Sequence, residues 1–279
     1  MSYENMAFSA LDYKPCHYGT SKLMFRGPAR SVDGDFIAFV GGTETYGKYV
    51  AEPFCDQLEP LLGHPCVNLG VLQAGPDAFL KDSGAMAICG QAILTVVQLP
   101  NAVNLSNRFY MVHPRRNDRF LRASTILQSI YHDVDFTDFA FVRHMLETLK
   151  ETSAERFEMV VEEMQKAWLH RTRQLLEAIQ GPKIVFGLRG HHLESDGGTN
   201  ALGAEPVYVS EEMSFAIAPF ADSLTWITPS AKAIGQGPDE LQIPEGEQEA
   251  ARFVMGPAAH REVARQLSDL IKVALDSAK

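Results

Sequence analysis

Residues 35–49, DFIAFVGGTETYGKY, constrain the fold more than any other part of the chain. A continuous apolar run over 36–40 stops at Gly41 and Gly42. Strands covered on both faces read as unbroken apolar runs, whereas strands half open to water alternate. The glycines imply a tight turn, and Thr43, Thr45, Gly47 and Lys48 follow it. A buried strand that turns through glycines into a helix leaves backbone N–H groups at its carboxyl end. That is a setting for an anion or a developing oxyanion.

The rest of the chain repeats the alternation. Further apolar runs predict strands at 66–69, 93–99, 183–188 and 224–227. Between them, helical spacing of apolar residues predicts helices over 49–62 and 76–91, and then over 119–131, 137–150 and 154–180. Gly181-Pro182 closes the last of these. A short helix is expected near 210–219 and a terminal one over 257–275. Strands alternating with helices predict a three-layer α/β/α sandwich with a mainly parallel sheet of about five strands. Residues 1–34 read as a wrapping arm. Residues 35–279 read as a single α/β domain carrying a helical insertion over about 119–180.

Composition narrows the partners. A net charge of −10 disfavours general nucleic-acid binding. The four cysteines show no metal-type spacing and read as reduced thiols of a cytoplasmic protein. The N-terminus has neither the basic nor the apolar region of a signal peptide. No apolar run approaches the roughly 20 residues that span a bilayer, though a lipid substrate met at a membrane surface stays open. A homo-oligomer is equally open.

Against that acidic background, residues 108–122 are an outlier. Arg108, Arg115, Arg116, Arg119 and Arg122 stand with one acid, Asp118. Guanidinium groups suit bidentate grip on phosphate or sulfate, and the bland alternative is a solvated helix start. His191 and His192 follow the expected fourth strand and are candidates for a general base. With no third ligand at a suitable spacing, no metal is expected. Glu44, inside the turn, could bond back to the turn or accept a proton. His113 lies within the basic run, and His260 suits a helix-face packing role as well as a functional one.

Two resemblances follow from these motifs. The block 41–47 (GGTETYG), Asn68-Leu69-Gly70, and the segment from Pro100 to Asn104 resemble the successive blocks of the SGNH (GDSL-like) hydrolases. That resemblance implies an α/β sandwich with Thr43 at the nucleophile position. Gly70 and Asn101 or Asn104 would then stand as oxyanion donors. The family's DxxH block has no counterpart before the last helix, where the chain reads Phe253-Val254-Met255-Gly256. The stretch 42–48 also spells GxxxxGK, and 113–124 (HPRRNDRFLRAS) is similar to the 3′-phosphate segment of PAPS-dependent sulfotransferases. This implies a PAPS cofactor held by Gly42, Thr43, Thr45, Gly47 and Lys48 at one end and by Arg115, Arg116, Arg119 and Ser124 at the other. The whole chain also resembles an uncharacterised family of Rhodobacterales proteins sharing GGTETYG and HPRRNDRF.

The expected function is a transferase taking an anionic phosphorylated donor, with sulfuryl transfer to a small-molecule, lipid or glycan acceptor as the concrete form. Thr43, Glu44, Lys48, His191 and His192 are its candidate catalytic residues. The alternatives are an SGNH-like ester hydrolase or O-acyltransferase using Thr43, and a non-catalytic binding module.

Overall fold

A computed structural model describes residues 11–190, 202–236 and 240–277. Each apolar run becomes a strand: β1 (Ile37–Gly41), β2 (Cys66–Gly70), β3 (Leu94–Gln98), and, after an excursion, β6 (Lys183–Leu188) and β7 (Ser223–Ile227). They form one parallel sheet in the order β2-β1-β3-β6-β7. Successive side chains along β1 go to opposite faces, as the strand period demands. Ile37 and Phe39 pack with α2 (Phe54–Leu62) and α11 (Pro257–Ser277). Ala38 and Val40 pack with α3 (Pro76–Leu80), α4 (Ser83–Gln91) and the 25-residue α7 (Ala154–Ala178). The three-layer α/β sandwich is therefore observed.

The helix expected over 49–62 begins later, at Phe54. Tyr49 sits at φ 63° and Pro53 takes the N-cap. Such a backbone cannot be helical, and a proline pushes the residue before it out of the helical region. The helix expected over 76–91 is two helices. Asp82 breaks it, capping α4 through Ala85 N–H while also accepting from Lys22 N–H.

The largest departure lies in the excursion between β3 and β6. The helix expected over 119–131 is half strand. Tyr110–Val112 (β4) and Phe120–Ala123 (β5) form an antiparallel ribbon, and only then does α5 (Thr125–Ile130) begin, capped by Ser124. The spacing of Phe120, Leu121, Ile126 and Leu127 imitates a helix, but Pro114 and the Arg116–Arg119 turn close a hairpin instead. Helix α6 (Val142–Thr152) then leads into α7, and after β6 come α8 (Glu211–Ile217), α9 (Ala231–Gly235) and α10 (Gln248–Ala251) before α11. Trp168 of α7 is fully buried and donates its indole N–H to Pro100 O at 2.8 Å, fixing the excursion to the end of β3.

The N-terminal segment closes over the β1 turn. Arg26 is 5% exposed and donates to the carbonyls of Tyr46, Gly47, Val50 and Ala51 at 2.5–3.3 Å. Burial lowers its pKa from the ordinary value, yet a guanidinium keeps its proton in proteins. Four carbonyls thus stand in for water around the charge. None of the described helices is long and apolar enough to cross a membrane.

Candidate functional site

In a doubly wound sheet of this order, the connections from β1 and from β3 leave in opposite directions. A crevice opens between them beyond the strand carboxyl ends. A cavity of about 540 Å³ lies there, within the range of small-molecule sites. Gly42, Thr43, Glu44 and Lys48 enter it from the β1 turn, Gln73 from the loop after β2, and Gln98, Asn101 and Asn104 from the end of β3. Leu188 at the end of β6 contributes as well. The excursion supplies Arg116, Asp118, Arg143 and Glu147, and the segment after β6 supplies Glu205.

The turn itself is largely satisfied from within. The Gln98 side-chain oxygen accepts from Gly42 N–H at 3.3 Å, Thr45 N–H at 3.2 Å and the Thr45 hydroxyl at 2.5 Å. Its amide donates to Glu44 Oε2 at 2.7 Å. This plug is why Gly41 has no side chain. A Cβ there would come within 2.1 Å of Thr45 Oγ1 and 2.7 Å of Gln98 Oε1. Thr45 is accordingly buried and turned away from the cavity. Gly47, at φ 73°, closes the one-turn helix α1 (Thr43–Tyr46) by donating to the Thr43 and Glu44 carbonyls. Of the five residues expected to cradle an anion, Gly42, Thr43 and Lys48 face the cavity, whereas Thr45 and Gly47 do not.

Thr43 is 7% exposed, and its hydroxyl accepts from Gln73 N–H at 3.1 Å. A hydroxyl that accepts still has a proton to give. Among the described residues no histidine lines the cavity. His191 and His192 lie outside the described residues. His260 is fully buried between α11 and α2, where its Nδ1 accepts from Phe54 N–H at 3.0 Å and its ring stacks on Phe54. It is a packing residue.

The residues expected to hold an oxyanion serve structural contacts. Gly70 donates its N–H to Asn68 Oδ1 at 2.8 Å, and the Tyr46 backbone lies against it. Asn101 accepts from Val207 N–H at 2.7 Å, and Asn104 donates to both Gln73 oxygens at 3.0 and 3.1 Å. These contacts set the cavity walls and leave Asn101 and Asn104 on its surface.

The arginines do not converge. Arg108 pairs with Glu163 at 3.3 Å, Arg119 lies 4.0 Å over the Phe141 ring, and Arg122 contacts Met111 Sδ at 3.0 Å. Arg115 is exposed on the ribbon turn, where His113 Nδ1 accepts from its N–H and from that of Arg116. Ser124 is spent on capping α5. From this run Arg116 and Asp118 reach the cavity. Asn117, fully buried, ties the ribbon turn to the β2 loop by accepting from Gly75 N–H and donating to His113 O.

Charge in the cavity is slightly acidic rather than basic, with Lys48, Arg116 and Arg143 facing Glu44, Asp118, Glu147 and Glu205. Arg143 is paired with Glu205 at 3.1 Å, and Lys48 with Glu247 at 3.2 Å. Tyr49 also donates its hydroxyl to Glu247. That bond, with Lys48 behind it, holds the Glu247 carboxyl below its ordinary pKa, while burial first and then Glu247 push the Tyr49 hydroxyl up. The segment around Glu247 is strapped down further by Gln242 N–H to Tyr49 O at 2.8 Å, and its Ala250, Phe253 and Val254 form the cavity's lip. Arg116 has no ion-pair partner among the described residues.

No group of histidine, cysteine or acidic residues able to hold a metal occurs among the described residues. The cysteines are all free, and burial pushes the Cys66 and Cys89 thiols up to about 12. They are therefore poor nucleophiles. Gln98, Arg143, Glu147 and Glu205 carry no motif. Of these, Gln98 alone leaves a trace in the sequence, as a polar residue at the end of an apolar strand.

No curated protein matches the chain. A family pattern matches residues 1–275, and the chain belongs to that family, described as Domain of unknown function (DUF6473).

Proposed function

We propose that the protein is a transferase that takes a small anionic donor in the crevice between β1 and β3. One observation carries this reading: Thr43, Lys48 and Arg116, from two chain segments far apart in sequence, line one cavity at the carboxyl ends of a parallel sheet. In that setting Lys48 and Arg116 would neutralise the donor's phosphate or sulfate oxygens. Such placed charge is the main catalytic need in phosphoryl-type transfer. Glu44 and Glu147 would face the acceptor, the more basic partner. PAPS remains the concrete candidate donor, now with Arg116 rather than the whole arginine run at its phosphates.

A second reading, ester hydrolysis or acyl transfer by Thr43, has its own observation in favour. The Thr43 hydroxyl faces the cavity as an acceptor from Gln73 N–H, with its own proton to give.

A thermal-shift and calorimetric panel of PAPS, its desulfated product PAP, coenzyme A and a chromogenic acetyl ester separates the two. The transferase reading expects PAP or PAPS to bind and Arg116→Ala to weaken binding about tenfold or more. Ester turnover that disappears in Thr43→Ala, with no nucleotide bound, would replace it with the second.

A further inference from the structure

The arginine run that the cavity leaves unused has a surface of its own. The β4–β5 ribbon buries Tyr110, Val112, Phe120 and Ala123 against the core. The register shifts between Met111 and Val112, so Leu121 and Arg122 together oppose a single residue across the ribbon. A bulge of this kind re-aims side chains, and here both Leu121 and Arg122 face outward beside Met111. Met111 is 39% exposed, Leu121 52% and Phe141, bridged to Arg119 beside β5, 41%. Arg119 lies over Phe141 and Arg122 contacts Met111, while Arg115 is exposed on the ribbon turn. The one acid in the ribbon, Asp118, approaches Arg119 no nearer than 3.9 Å. The acidic turn that follows α5 packs through Phe136 on Phe120, and its Asp133 is held by Arg156.

We propose that this ribbon docks on a membrane surface rich in anionic phospholipid. A chain of net charge −10 is, as a whole, repelled by such a membrane. The ribbon, locally cationic, is complementary to it. Arginines flanking exposed Leu, Met and Phe can set their charges at the headgroups while the apolar tips enter the interface. An acidic protein surface would satisfy the arginines but would leave Leu121 and Met111 against polar groups. Because Arg116 and Asp118 of the ribbon turn line the cavity, docking holds the cavity near the membrane. That a lipid acceptor would be met there rests on the transferase reading, whereas the docking does not.

Flotation of the full chain with vesicles tests it. One set is neutral phosphatidylcholine, and the other contains about one third phosphatidylserine, enough for a strongly negative surface potential. The chain is expected to float with the anionic vesicles alone and to be released as salt rises. Arg122→Glu should cut binding about tenfold and Leu121→Ser about threefold or more. Both variants should keep the wild-type unfolding midpoint and the wild-type response to cavity ligands. Absence of flotation with anionic vesicles, equal flotation with neutral ones, or variants that float like the wild type would overturn the proposal. Capture by polyglutamate in place of vesicles would overturn it in favour of an acidic protein partner.

Discussion

Two regions of this chain carry anion-binding chemistry in their sequence, the β1 turn and the arginine ribbon, and they border one cavity but differ in how their polar groups are answered. The turn is buried, and its donors are answered by Gln98, 53 residues beyond Thr45. The ribbon's outer face is exposed, and there Arg115, Arg119 and Arg122 make no strong ion pair among the described residues. Spacing along the chain shows which groups are neighbours. It does not show which groups from elsewhere have already answered them. A turn rich in donors can therefore be a structural joint with one open face, while the free charge lies elsewhere.

Substitutions that separate the two regions should differ sharply in effect. The largest is expected from Gly70→Ala, where a Cβ would come within 2.3 Å of Tyr46 N and 2.7 Å of Thr45 C. Backbone cannot yield as a side chain can, so unfolding in urea should show a loss of about 3 kcal/mol or more. A loss below about 1 kcal/mol would mean that the turn is looser than its contacts imply. Next is Gln98→Leu, which strips an acceptor from three donors in a buried setting. Its cost should be about 2–4 kcal/mol in the same measurement, and a near-neutral result would mean that water or a ligand group answers those donors equally well.

Smaller again is Glu247→Gln, at the strap. Removing that carboxylate frees Lys48, so anion affinity at the cavity should rise about three- to tenfold. Its effect on stability should be under about 1 kcal/mol, because the Glu247 side chain is 47% exposed and screened. The sign follows from the lowered pKa of Glu247. Its contribution is present above the ordinary glutamate value of 4.5 and fades as pH falls through the folded value. Wild type and Glu247→Gln should therefore differ at neutral pH and converge in acid, and a difference that grows in acid would contradict the pairing. The smallest effect belongs to the ribbon. Arg122→Gln should change stability by no more than about 0.5 kcal/mol, since its polar contact is to Met111.

How much of this was legible in the sequence follows the same divide. The strands are readable because each is a short apolar run bounded by Gly, Pro or polar residues, and burial on both faces leaves that trace in β1, β2, β3 and β6. The ribbon is not, because Phe120, Leu121, Ile126 and Leu127 mimic a helical spacing that the Arg116–Arg119 turn overrides. The start of α2 is not readable, because the left-handed backbone of Tyr49 leaves no mark in its identity. Within the site, Thr43, Glu44 and Lys48 could be found from the turn motif. Arg143 and Glu147 could not, since their position depends on how α6 packs against α7. The seven-residue run 93–99 held one clue to the plug, the polar Gln98 at a strand end.

The most direct test of the central claim is calorimetric titration of PAP into four proteins: wild type, Lys48→Ala, Arg116→Ala and Arg122→Glu. The account predicts binding to wild type and to Arg122→Glu alike, with affinity reduced about tenfold or more in the other two. Binding that survives Lys48→Ala and Arg116→Ala but disappears in Arg122→Glu would contradict it and move the anion site from the crevice to the ribbon.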